Sequence, residues 1–135
     1  MGNRRLSREL TLQAMYLSDS CNLPLADAFK RVIDSQPLDS VKEFSQRLVD
    51  GITKDKEAID LMLSRYAENW ELKRMAIVDR NILRLAAFEI LTELDTPVSV
   101  IIDEAIEIAK SYSTQDSGKF VNGILDKVKN ERPKK

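Results

Sequence analysis

From Val78 to Leu94 the chain carries apolar side chains at nearly every helical angle. Ile82, Leu83, Leu85, Ala86, Ala87, Phe88, Ile90, Leu91 and Leu94 leave almost no polar stripe. A helix of that kind cannot rest on one neighbour and stay wet elsewhere; it must be covered on most sides. The fold is therefore a bundle around this helix, provided the rest of the chain supplies helical faces. It does. Apolar residues recur at helical spacing throughout, no convincing alternating strand is present, and four glycines and four prolines are the main breakers in 135 residues. The pattern predicts helices near 3–20, 25–35, 39–53, 56–68, 78–94, 98–112 and 117–130. Pro24 opens the second, Pro37 precedes the third, Pro97 starts a late one and Pro133 lies in the tail. Short connections make this a compact all-α domain of about seven helices. It is expected to be one domain, 1–135, with an N-terminal half of about 1–75, a C-terminal half of about 76–132 and a basic tail at 132–135. Arg80 and Arg84, one turn apart, read as the exposed edge of the central helix.

The residue inventory excludes several chemistries. Histidine is absent, which removes Ser-His-Asp and Cys-His nucleophiles, His-containing zinc sites and the commonest general base. Cys21 is the only cysteine, so no intramolecular disulfide can form, and no histidine is present to activate its thiol. No GxxxxGK[ST] loop occurs. Asp103 and Glu107 share a helix face at i,i+4 and could hold a cation, but apolar residues occupy the other side and a solvated face is the plainer reading. No catalytic residue, cofactor or metal is expected. No secretory signal and no apolar run long enough to span a membrane are present, so a cytosolic protein without membrane contact is expected.

Charge is uneven. Both ends are net positive, through Arg4, Arg5 and Arg8 and through Lys127, Lys129, Arg132, Lys134 and Lys135, on a chain whose formal net charge is −1. Basic ends on an acidic body suit a polyanion or are simply solvated tails. In the first helix Leu6, Leu10, Ala14 and Leu17 make a core stripe. Arg4, Arg5, Arg8, Leu12, Met15 and Tyr16 cluster on another face. That face either packs a second element or is an interface, with arginines for phosphates at one end and Leu, Met and Tyr for a protein at the other. Near the C-terminus, Asp116 or Ser117 can cap a helix whose apolar stripe is Phe120, Val121, Ile124, Leu125 and Val128. Lys119 and Asn122 fall off that stripe. A cation near a helix start is unfavourable for stability alone and reasonable beside an anion. Phe120 is either core or a stacking surface for a base.

Three blocks resemble the NusB family of bacterial transcription antitermination factors. They are Arg4-Arg5-Leu6-Ser7-Arg8-Glu9 with Gln13-Ala14-Met15-Tyr16; Val78-Asp79-Arg80-Asn81-Ile82-Leu83-Arg84-Leu85-Ala86 through Phe88-Glu89; and Asp103 through Lys110 leading to Asp116-Ser117-Gly118-Lys119-Phe120-Val121-Asn122-Gly123. The last is the most specific, and residues 21–75 match mainly in pattern. The chain departs from the family at Asp103, where Asn is frequent, and at Ser113, where Gly is frequent. The resemblance implies two small helical bundles packed together and no enzymatic activity. It implies binding of boxA RNA, notably on ribosomal RNA operons, together with NusE, a small-subunit ribosomal protein. NusA, NusG and RNA polymerase complete the assembly. Carried over, the RNA-facing residues are Arg4, Arg5, Arg8, Asp116, Ser117, Lys119, Phe120 and Asn122. The protein-partner residues are Leu12, Met15, Tyr16, Asp79 and Arg80. A homodimer that hides the RNA surface is also open.

Two rival readings differ in class. One is an accessory RNA-binding domain of a ribosomal RNA methyltransferase, which needs an α/β cofactor domain that these residues do not carry. The other is a helical adaptor that binds protein only and has no affinity for RNA.

Overall fold

The computed structural model of the chain describes residues 2–36, 38–67 and 71–134. Among the described residues there are α-helices and short 3₁₀ turns and no strand: α1 Gly2–Cys21, α2 Leu25–Ile33, α3 Asp39–Tyr66, α4 Ile77–Thr92, α5 Val98–Tyr112 and α6 Gln115–Val128. The all-α reading holds, with one correction. The helices expected at 39–53 and 56–68 are a single helix, α3, up to Tyr66; Glu68 lies outside the described residues, as does Pro37. Gly51 and the run Lys54-Asp55-Lys56 suggest a break, but the buried stripe Val41, Ser45, Leu48, Ile52, Ile59, Leu63 crosses them in step with the helical period. A mid-helix glycine costs about 1 kcal/mol, which that burial outweighs.

Local chemistry sets the ends. α1 stops where Asn22 takes a left-handed backbone (φ 53°), and the N–H of Leu23 donates back to the Ser18 carbonyl at 3.1 Å. Asparagine tolerates that conformation better than most residues. Pro24 and Pro97 stand immediately before α2 and α5, with extended backbone.

Contacts divide the chain inside α3 into two units, Met1–Lys54 and Asp55–Lys135. The second part of α3 goes with α4, as the ion pair between Asp60 and Arg84 shows. In the first unit, Ala14, Ala28, Phe29 and Val49 form a core against which Leu17, Leu25, Val32 and Ile33 pack. Hydroxyls tie α1 to the start of α3: Ser7 Oγ donates to the Val41 carbonyl and Ser45 Oγ to the Ser7 carbonyl, each at 3.3 Å. Both faces of α1 are therefore used. Leu12 and Met15 are 1% and 3% exposed, so they are core residues and not the exposed partner surface expected of them.

In the second unit, α4 is the central helix that the sequence demands: Asn81 through Ile90 are buried without interruption. Arg84 is among them, which corrects its reading as an exposed edge. Its Nε and Nη2 donate to the two Asp60 carboxylate oxygens at 2.7 and 3.0 Å, and its Nη1 donates to Asn81 Oδ1 at 3.0 Å. α5 and α6 pack on α4 and on each other. Past α6, Glu131 accepts from Tyr66 Oη at 2.6 Å and from Arg65 Nη2 at 3.1 Å. The hydrogen bond to Glu131 raises the Tyr66 phenol above its ordinary value, followed by desolvation and the nearby carboxylate charge. Arg132 Nη2 donates to the carbonyls of Glu93 and Thr96 at 2.8 and 2.6 Å, holding the turn after α4.

Candidate nucleic-acid interface

The start of α6 is built by hydroxyls. Thr114 is the N-cap, and its side chain accepts from the Ser117 N–H at 3.1 Å. This corrects the expectation that Asp116 or Ser117 caps the helix. A side-chain oxygen at the N-cap reaches the N–H three residues on, and Thr114 stands at that distance from Ser117. Asp116 instead lies exposed in the first turn, where a carboxylate suits the helix dipole. Ser117 is 6% exposed. Its Oγ is 2.8 Å from Ser113 Oγ, 3.2 Å from Thr114 Oγ1 and 3.2 Å from Asp79 Oδ2, which accepts from it. Ser117 therefore joins α6 to the first turn of α4 and does not face solvent. Ser113 is the C-cap of α5, with φ −137° and ψ −116°, and its N–H donates to the Ala109 carbonyl at 2.9 Å. Replacing Thr114 with alanine should destabilise the chain by about 1 kcal/mol in urea denaturation; no change would mean that the cap is not formed.

Beside this network is a cavity of about 240 Å³. Arg74 and Met75 line it ahead of α4, Asp79 on the first turn of α4, and Thr114, Asp116 and Phe120 at the start of α6. Phe120 is half-buried, between the core and base-stacking expectations, with its ring on the cavity wall. Asp79 Oδ1 is buried and accepts no hydrogen bond among the described residues. Lys119 and Asn122 are exposed on α6. Asp116, Lys119 and Phe120 lie within about 100° of one another around the helix. Arg74 is a cavity residue without a sequence signal, because nothing periodic marks the segment ahead of α4.

The arginines belong to the first unit. Arg4 is exposed, Arg5 half-buried and Arg8 4% exposed. Arg4 and Arg8 stand over one ring, Phe44 on α3, with their guanidinium carbons 3.9 and 5.7 Å from its centroid. Burial gives Arg8 a supporting place behind Arg4 and corrects its reading as a surface residue. Arg47, which the sequence pattern does not single out, is exposed and stands over the same ring at 4.9 Å. Tyr16 is 46% exposed on α1. Arg80 on α4 is half-buried, and its Nη1 donates to the Lys73 carbonyl at 3.3 Å.

Asp103 and Glu107 are both exposed, and among the described residues no group of three or more His, Cys, Asp or Glu is placed to hold a metal ion. No helix of the described residues is long and apolar enough to cross a membrane.

The chain is 44% identical to the transcription antitermination protein NusB of Elusimicrobium minutum, over 98% of this chain and 96% of that protein. The structure matches that of Thermotoga maritima NusB with a TM-score of 0.90 and 43% identity, covering 96% of this chain and 92% of that one. It shares its fold, at a TM-score of 0.88 and 24% identity over 97% of this chain and 98% of the other, with a crystal structure of the antitermination factors NusB and NusE in complex with dsRNA. Residues 5–130 match the NusB family model, so by sequence and by fold this chain belongs to the NusB family.

Proposed function

We propose that this chain is a transcription antitermination factor that binds boxA RNA of nascent transcripts together with NusE and performs no catalysis. The observation that carries the reading is the start of α6: a half-buried aromatic ring on a cavity wall, beside a helix N-terminus and an exposed lysine. Single-stranded RNA offers unstacked bases to such a ring and phosphates to such a helix end. Arg4 and Arg5, with Arg8 behind them, add phosphate contacts that position the strand without reading it. Selectivity is left to Phe120, Asn122 and backbone groups, since the Ser117 hydroxyl is engaged internally. Tyr16, Asp79 and Arg80 are the residues proposed for the NusE contact. NusA, NusG and RNA polymerase are the further members of the proposed complex.

Asp116 tests the site. Its carboxylate is exposed at the helix end where phosphate is proposed, and Thr114 rather than Asp116 makes the cap. Asp116→Asn should therefore keep the helix and tighten RNA binding about fivefold at 0.1 M salt, the effect of one like charge on a single strand. Titration of labelled boxA RNA in the presence of NusE, at one salt concentration, measures this. Equal or weaker affinity would place the RNA elsewhere.

A further inference from the structure

We propose that Arg47 is a phosphate-binding residue for single-stranded RNA, positioned by Phe44, and that it extends the basic face of α1 onto α3. The proposal rests on the RNA-binding reading above and adds a side chain to it.

Phe44 is the hub. It is 5% exposed, and three guanidinium carbons stand over its ring: Arg4 at 3.9 Å, Arg47 at 4.9 Å and Arg8 at 5.7 Å. Phe44 and Arg47 are three residues apart on α3 and so share a face. Arg4 and Arg8 are one turn apart on α1. The hydrogen bonds from Ser7 to Val41 and from Ser45 to Ser7 set the register that brings the two helices' arginines to one ring, and Asn3 Nδ2 donates to Ser40 Oγ at 3.1 Å. Three formal positive charges are thereby gathered at one place, and two of them, Arg4 and Arg47, are exposed.

The manner of holding matters. A ring attracts a guanidinium through its face. It does not itself use the N–H edge, and that edge is what matches a phosphate in bidentate fashion. A guanidinium kept in place by a ring also loses less rotamer freedom when it binds. Arg47 is therefore held by the ring face, a contact that does not itself occupy its N–H groups. A phosphodiester backbone suits two such groups on adjacent helices, because it presents one anion per nucleotide at regular spacing.

The test uses the full chain with NusE and fluorescein-labelled boxA RNA, titrated by anisotropy over a series of KCl concentrations. Arg47→Ala should reduce the slope of log K against log salt by about 0.7 and weaken binding about fivefold at 0.1 M KCl. The loss should be equal for boxA and for a scrambled strand, since phosphate contacts carry no sequence information. Arg47→Lys should retain the slope. Phe44→Leu, which keeps an apolar side chain and removes the π face, should make a subsequent Arg47→Ala cost less than it does in the wild type. An unchanged slope in Arg47→Ala, while Arg4→Ala lowers it, overturns the proposal and leaves the RNA reading standing. Loss of NusE affinity with an unchanged RNA slope overturns it in favour of a protein contact. Failure of the wild-type pair to bind boxA RNA at all overturns the functional reading itself.

Discussion

Replacing Asp60 with alanine should destabilise the protein by about 3 kcal/mol, well beyond the effect of an ordinary surface substitution. Asp60 receives both Nε and Nη2 of Arg84, in an arrangement where the Arg84 side chain is 9% exposed and the Asp60 side chain 28%. Removing the carboxylate leaves the guanidinium inside the bundle, beside the neutral amide of Asn81. A buried charge that loses its counter-charge keeps its desolvation cost and forfeits the attraction that offset it. The partial exposure of Asp60 keeps the expected loss at the lower end of the range for buried pairs. Urea denaturation should show a lower midpoint with an unchanged slope, since the surface exposed on unfolding is almost the same. The double replacement Asp60→Leu with Arg84→Met should recover much of the loss, because it removes both charges and leaves apolar volume. A loss below about 1 kcal/mol for Asp60→Ala would mean that the pair behaves as a solvated surface bridge.

The second large effect concerns RNA. Arg4→Ala combined with Arg5→Ala should weaken boxA binding about 25-fold at 0.1 M salt. Each phosphate contact to a single strand contributes about 0.7 to the slope of log K against log salt, so two contacts amount to about 1.4 decades between 0.1 and 1 M. These two are chosen over Arg8 because they reach the surface and Arg8, at 4% exposure, does not. The loss should be the same for boxA and for scrambled RNA, and binding should converge with that of the wild type as salt rises. The melting temperature should change little for Arg4, whose side chain is exposed. A loss confined to boxA would give these arginines a base-reading role in place of a phosphate contact.

How much of this is legible in the chain follows from what kind of signal each residue carries. The central helix is legible because its apolar residues surround it, and Asn81–Ile90 are buried as that pattern demands. The continuity of α3 is not. Gly51 and three charged residues in succession look like a connection, and only the tertiary burial of Ile52 and Ile59 on one line reveals the helix. Arg84 reads as an edge residue because a charged side chain on a helix normally is one, and the partner that lets it enter, Asp60, is 24 residues away in sequence. Leu12 and Met15 read as a partner surface because α1 has two apolar faces, and periodicity alone does not say which face meets another part of the chain. At the proposed α6 site the helix is legible, from the block around Asp116 to Gly123, and its wiring is not. The cap falls two or three residues earlier than the pattern suggests: Thr114 caps, and Ser117 bridges to Asp79. Arg47 and Arg74 carry no sequence signal because their meaning comes from Phe44 and from the cavity wall, which are contacts rather than patterns.

At the centre stands the proposal that this chain and NusE together form the boxA-binding unit. The most direct measurement is an anisotropy titration of labelled boxA RNA, and of a scrambled strand of equal length, with the full chain alone and with the chain plus NusE. Weak binding by the chain alone, and binding by the pair that is at least about tenfold tighter for boxA than for the scrambled strand, a difference of about 1.4 kcal/mol, is the predicted result. Equal binding of both strands by the pair, or no RNA binding with NusE present, would contradict it.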